Sequence, residues 1–523
     1  MSANILLGPI LGFEEGDFYT VCFLSDPLPE KVKLQLKMGV LAAPVDFKEA
    51  GRVGGKVFWR AEFTLSVPAK GSQASYAIEL NGKPLANAQS ASWSFYVPGE
   101  GEEPRILYTS CNGFSSAKLA RDTEKPYALW ERMAKLQSPK KNPGPEAGPY
   151  ALMLMGGDQV YADEIWESGR CPLLREWSHL GAQAQQKAQV SPALAKEIED
   201  FYNGLYLDRW KAKDMANMLA AIPSVMMWDD HDIFDGWGSY PSQRHNCPVF
   251  QKVFLEASRV FQVFQLRCST RSRLNANPDR EHFSLRLQFR EYHILALDNR
   301  AERTIEQIMS RDHWDDVKQY LDALPAQDLK NLLVLSGVPV VYRSFATVES
   351  VFESTPWNEE LQDDVQDHWS ARTHQAERIK FVMIFLNFLH AKTSELENPP
   401  VGADPSPLRS APRVVLLSGD VHVGAVGQVW DAPRQVGLTQ IISSGIVHPP
   451  PTALAFASLK LMTSDTPEPL GEGDVIAEMM TPVGSDRYLR TRNFVAMHLG
   501  SDEKLWVNWI CEDKDIRPSF AIG

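Results

Sequence analysis

The chain repeats one device: an unbroken apolar run that stops on a residue able to bind or react. "RILYTSC" ends at Cys111, "YALMLMGGD" at Asp158, "PSVMMWDDH" at Asp229, Asp230 and His231, and "RVVLLSGDVH" at Asp420 and His422. A strand can be apolar at every position only when both its faces are covered, as for central strands of a sheet with helices on both sides. The carboxyl ends of such strands are where open α/β sheets form ligand crevices. One polar strand end is commonplace. Four that deliver thiol, carboxylate and imidazole, with the phenol of Tyr161 close behind Asp158, are hard to explain by packing alone. A fifth run, "YHILALDNR", ends at Asp298, Asn299 and Arg300.

Ahead of these runs the pattern is different. Up to about Gly99 the chain has short alternating stretches, such as "KVKLQLK" at Lys31–Lys37 and "WSFYV" at Trp93–Val97, as strands with one buried face should. Asn81–Gly82 is suited to a two-residue hairpin turn. These features predict a small all-β, immunoglobulin-like antiparallel sandwich over residues 1–100. "PGEGEEP" at Pro98–Pro104 reads as a linker, and residues 105–523 as an α/β domain with β-sheets packed between helices.

Charge narrows the function. A formal net charge of −13 argues against a general nucleic-acid binder, which needs a basic face. A small phosphorylated substrate stays open, because a bound cation can reverse the local field. "IKFVMIFLNFLHAK", from Ile379, is too short and too polar to span a bilayer and is expected to be a buried helix. The N-terminus lacks the basic start and small-residue cleavage site of a signal peptide. The six cysteines are scattered without close spacing, as free thiols in a reducing compartment would be. A cytoplasmic location is the expectation; oligomeric state is silent.

Each strand-end residue has an ordinary role when taken alone. Cys111 can be a small buried apolar group, Asp158 a helix cap, Tyr161 a core tyrosine, and Asp230–His231 a turn. Together they make a different case. Several carboxylates in one crevice repel and are driven toward protonation unless a cation sits among them. Asp158 has two oxygens with which to bridge two ions, and thiolate with phenolate would favour a strongly Lewis-acidic ion such as iron. A pair of ions suits phosphoryl chemistry, activating water and clamping phosphate oxygens.

In combination and order, "YTSCNG", "GGDQVYADE", "WDDHDIFDGW" and "LLSGDVHVG" resemble the alkaline phosphatase D (PhoD-like) family of metallophosphatases. That resemblance spans essentially the whole chain and implies a β-sandwich joined to a metallophosphoesterase domain. It further implies phosphodiesterase and phosphomonoesterase activity by attack of metal-activated hydroxide, with iron(III) and calcium as cofactors. Cys111, Asp158, Tyr161 and His422 would hold the iron, and Asp158, Asp230 and Asp420 the calcium. His231 would be a catalytic, non-ligand histidine at the leaving group, and Asp229 would orient a ligand or loop. Arg300 would either bind the substrate phosphate or pair with Asp298.

The chain also departs from the pattern. No twin-arginine signal is present, so zinc or manganese can replace the iron–calcium pair. "LLVLSGVPVVYRS" lacks the histidine that related metallophosphoesterases often place there, in keeping with Asp420 in that role. "DIFDGWGSY" differs from the expected Glu- and Asn-bearing form on the substrate side. His448, after the apolar strand of "IISSGIVHPP", can reach the rim of the site, whereas His293, His390 and His498 are expected in core or surface roles. Glu164–Asn217 and Phe345–His374 are expected to cover the site. The alternatives are a non-catalytic binding protein on the same fold and a metal-dependent hydrolase of another bond.

Overall fold

The apolar runs do become neighbouring strands, but in two sheets rather than one. A computed structural model of the chain describes residues 4–29, 31–138, 146–167, 169–342, 369, 373–397, 411–462, 464, 466–471 and 474–523. Ile106–Thr109, Leu152–Gly156 and Ser224–Met227 lie side by side and parallel, pairing Ile106 with Leu152 and Met153 with Ser224. The runs that lead to Asp298 and Asp420 belong to another sheet. There Tyr292–Ala296, Asn331–Leu335, Arg413–Ser418 and Val436–Ile442 run parallel in that order.

Alternation explains why these strands are apolar on both faces. Leu333, Leu335, Val415 and Leu417 enter a core shared with Tyr108, Met153 and Met155 of the first sheet. Their neighbours Leu332, Val334, Val414 and Leu416 enter a second core. That core is closed by Trp314 and Val317 of the helix Arg311–Ala323 and by Phe381, Val382 and Phe385 of the helix Gln375–Glu397. Period-two side chains thus meet a partner sheet on one side and helices on the other. The expected β-sheets packed between helices take the form of two sheets that share a core. Among the described residues no helix is long and apolar enough to cross a membrane.

The N-terminal strands divide between two sheets. Val32–Met38, Ser72–Leu80 and Trp93–Val97 pair with one another, with Asn81 and Gly82 at positive φ in the hairpin turn between Leu80 and Lys83. Leu7–Glu14, Phe18–Ser25, Lys56–Thr64 and Lys48–Val53 instead extend the sheet that carries Asp158, because Leu7–Glu14 pairs in parallel with Ser224–Met227. Ile10, Leu11 and Phe13 are all buried, so this strand needs cover on both faces. The two N-terminal sheets meet through Tyr19 and Phe95, whose ring centroids are 5.4 Å apart.

A buried polar chain stiffens the segment after Tyr292–Ala296. Asp298 accepts hydrogen bonds from Trp228 Nε1 and from the backbone N–H groups of Phe283, Arg300 and Ala301, at 2.7–3.0 Å. The Asp298 N–H donates to Ser284 Oγ, which lies 2.6 Å from His313 Nε2. His313 Nδ1 is 3.0 Å from Glu302. Burial raises the pKa of Glu302, but its bonds to His313 and Ser310 outweigh this and hold it at about 2.

Two outcomes follow from this packing. Leu417→Ala should lower stability by about 2–5 kcal/mol, read as a shift in the urea midpoint. A loss below ~1 kcal/mol would mean the sheets do not share a tightly packed core. Because Glu302 is depressed from 4.5 to about 2, its contribution is present above pH 4.5 and is lost as pH falls toward 2. Glu302→Gln should therefore lower the melting temperature at neutral pH and flatten its acid decline over that window. An unchanged acid limb would show that the carboxylate is not held.

Candidate metal centre

The two sheets set their strand ends against each other, and the reactive side chains converge there. Ligating atoms of Cys111, Asp158 and His422 lie within 4.8 Å of one another. The same holds for Asp158, Asp230 and His231, and for Asp229, Asp230 and Asp420. Asp158 and Asp230 each belong to two groups, so the three clusters form one continuous centre. The Tyr161 hydroxyl is 3.3 Å from His422 Nε2, and Cys111 Sγ is 3.5 Å from Asp158 Oδ2. Cys111, Asp158, Tyr161 and Asp230 come from the first sheet's side, and Asp420 and His422 from the second.

The local backbone is bent to make this possible. Cys111, Asp158, Asp420 and His422 all have φ between 50° and 65°. That left-handed region is costly for a residue with a Cβ, and such strain concentrates at functional sites. Close approach also needs bare backbone: a Cβ on Gly337 would sit 2.2 Å from Asp229 Oδ2. Gly337 thus opens the space that Asp229 occupies.

Electrostatics identify what the centre lacks by itself. Burial pushes the carboxyl of Asp158 well above the ordinary range. Burial and the neighbouring acidic groups do the same to the Cys111 thiol and the Tyr161 phenol. Burial holds His422 well below the usual imidazole value, with His448 and His231 adding to it. Asp158 Oδ1 is buried and has no hydrogen-bond partner among the described residues. A thiol, a phenol, carboxylates and a neutral imidazole aimed at one another fit a cation, whose charge would offset both burial and repulsion.

His231 stands apart from the other members. Its Nδ1 is 2.9 Å from Asp163 Oδ2, its Nε2 is 3.9 Å from Asp235, and its ring stacks on Tyr161 at 4.3 Å. Burial opposes its charge, but Asp163 and Asp230 outweigh it and raise its pKa well above the ordinary value. Arg300 is fully buried; its Nε donates to Asp229 Oδ1, its Nη1 donates to the Trp237 carbonyl at 3.2 Å, and its Nη2 is 3.4 Å from Asp230. Only its backbone N–H, not its guanidinium, bonds Asp298 among these contacts. Asp229 is thus both a member of the acidic group and the partner of Arg300.

Sequence reasoning passed over several contributors. Asp163 lies inside "GGDQVYADE", and its role as the partner of His231 follows only from the fold. Asp232 accepts the N–H groups of Gln159, Val160 and Asp229 at 2.9–3.2 Å and so ties two strand ends together. His448, by contrast, is expected from the sequence to reach the rim of the site; it follows the strand Val436–Ile442 and stacks on His422 at 3.7 Å. Of Glu164–Asn217, the helix Pro192–Arg209 reaches the centre, where Arg209 donates to the Tyr161 carbonyl at 3.2 Å. Most of Phe345–His374 lies outside the described residues. His293 is buried in its strand and His390 is exposed on the helix Gln375–Glu397.

Known proteins resemble this chain in sequence and in fold. Over 485 residues the chain is 26% identical to the uncharacterized protein YGR266W of Saccharomyces cerevisiae. That match takes in 76% of this chain and 63% of the yeast protein, so the chain spans less than two thirds of that relative. A solved structure of PhoD superposes with a TM-score of 0.58 at 14% identity, covering 97% of this chain and 87% of that one. The purple acid phosphatase PPD1 from seeds of yellow lupin, Lupinus luteus, gives 0.52 at 11% identity, covering 98% and 74%. Both likenesses concern the fold alone. Residues 86–362 match the model of the PhoD related phosphatase family, a span that takes in the Cys111, Asp158, Asp230 and Arg300 segments. That span is more than half of the chain, which therefore belongs to the PhoD related phosphatase family.

Proposed function

We propose that this protein is a metal-dependent phosphoesterase that hydrolyses phosphodiesters, phosphomonoesters or both. The observation that carries the proposal is the meeting of Cys111, Asp158 and His422, with the Tyr161 hydroxyl 3.3 Å from His422 Nε2, from strand ends of two different sheets. These four residues would hold one cation. Asp158, Asp230 and Asp420 would hold the second, with Asp229 beside them. The donor types suit iron(III) in the first position and calcium in the second, with zinc or manganese as replacements. When bound, such ions supply Lewis-acid polarisation of the phosphate and a water of lowered pKa.

The chain's own residues do the rest. His231 is anchored by Asp163 at the edge of the cluster, where its Nε2, 3.9 Å from Asp235, can protonate or hydrogen-bond the departing oxygen. Arg300 acts as a positioning residue: its guanidinium fixes Asp229 and faces Asp230, and its burial leaves no surface for a substrate phosphate. Asp232 holds the Asp158 and Asp230 loops in mutual register through backbone N–H groups. All of these residues fall within 105–523, which we read as the catalytic domain, with residues 1–100 as a β-sandwich lobe whose strand Leu7–Glu14 continues the catalytic sheet.

Asp158→Ala should strip metal and abolish turnover. His231→Ala should keep metal and lower kcat by about 10²–10⁴-fold. Elemental analysis of both variants, with rates on paired chromogenic monoester and diester substrates, checks this. Equal metal loss in the two variants would make His231 a ligand, and stoichiometric metal without either activity would overturn the enzymatic assignment.

A further inference from the structure

His448 has no part in the ligand set above, yet it sits against it. Its ring stacks on His422 at 3.7 Å with planes 15° apart, and on Tyr161 at 5.5 Å and 17°. Tyr161 also stacks on His231 at 4.3 Å. The two ring donors of the Cys111 group therefore lie within one stack whose shared member is His448.

The ring of His448 is itself fixed. Its Nδ1 lies 2.9 Å from the Pro449 carbonyl, so Nδ1 carries the proton and donates there. That leaves Nε2 as the acceptor, 3.4 Å from Ser115 Oγ. Its backbone is tied to the same strand end as the thiol: the N–H groups of Val447 and His448 both donate to the Cys111 carbonyl, at 3.3 and 3.1 Å. Ile446 donates to the Ser110 carbonyl, and Arg492 Nη1 donates to the Val447 carbonyl at 3.2 Å. The turn is tight, since a Cβ on Gly445 would sit 2.4 Å from the His448 carbonyl oxygen. A buried aromatic ring held at both nitrogens, on a loop bonded to Cys111, is a rigid wall rather than a mobile side chain.

We propose that His448 is a positioning residue that braces the Tyr161 phenol and the His422 imidazole in the planes from which both can reach one cation. The brace acts through ring contact, with the bonds to Pro449 and Ser115 setting its orientation. This rests on the proposal that Tyr161 and His422 are metal ligands. Ligands left unbraced sample orientations that miss the ion, and loss of such support typically weakens metal binding about 10–100-fold.

The test uses cobalt(II) as the probe, added to full-length chelator-stripped protein and followed by equilibrium titration and by the visible cobalt spectrum. His448→Ala should weaken cobalt binding by about tenfold or more and alter the spectrum. His448→Phe keeps a flat ring and should recover most of the affinity and the wild-type spectrum. Thermal unfolding of the metal-free variants separates this from general damage, since the brace requires the alanine variant to stay folded at the titration temperature. Wild-type affinity and spectrum in His448→Ala would overturn the brace alone. So would a phenylalanine variant as impaired as the alanine one, because the nitrogens and not the ring would then matter. Loss of folding in the alanine variant, with normal binding in neither variant, would also overturn it. Absence of cobalt binding by the wild-type chain would instead remove the metal centre on which the brace depends.

Discussion

Taking several carboxyl groups, a thiol and a phenol out of water into one crevice is tolerable only if positive charge arrives with them or they stay protonated. The rest of the molecule is arranged around that constraint. Asp158, Cys111 and Tyr161 are fully buried and their pKa values are driven up by burial. The charges that the chain itself brings close, Arg300 and His231, are already engaged by Asp229 and Asp163. What remains is a set of donors whose mutual repulsion a cation would turn into attraction.

Rigidity is the second requirement, and the sheets provide it. Strand ends in parallel register deliver Cys111, Asp158 and Asp230 at fixed spacing from one sheet, and Asp420 from another. Because alternate residues of Arg413–Ser418 enter two separate cores, that strand can neither slide nor rotate without breaking both. The left-handed backbone at Cys111, Asp158, Asp420 and His422 is held against its own preference by this packing. Asp232 and Asp298, each saturated with hydrogen bonds from neighbouring loops, extend the same stiffness to the segments between strands.

The N-terminal strands show how far periodicity can be trusted. Val32–Met38 alternates in sequence and alternates in burial, so its half-buried state was legible. Leu7–Glu14 has no clean alternation because it is covered on both sides, and its pairing with Ser224–Met227 joins residues about two hundred apart in the chain. No local pattern records a partner that distant. Arg300 illustrates the same limit at the site: "LDNR" leaves it between a substrate phosphate and Asp298, while in the fold its guanidinium donates to Asp229 from another strand.

By itself the sequence determined which strands are buried, where each one ends, and which chemical groups stand at those ends. Those properties are local: an apolar run forces burial, and the first polar residues after it must emerge at an edge. The tertiary structure alone decided that the runs divide between two sheets sharing a core. It alone decided that Asp163 turns to His231, that Asp229 meets Arg300, and that His448 closes the ring stack. Such pairings depend on distances between segments far apart in the chain, which are set by how sheets and helices pack and not by any neighbouring residue.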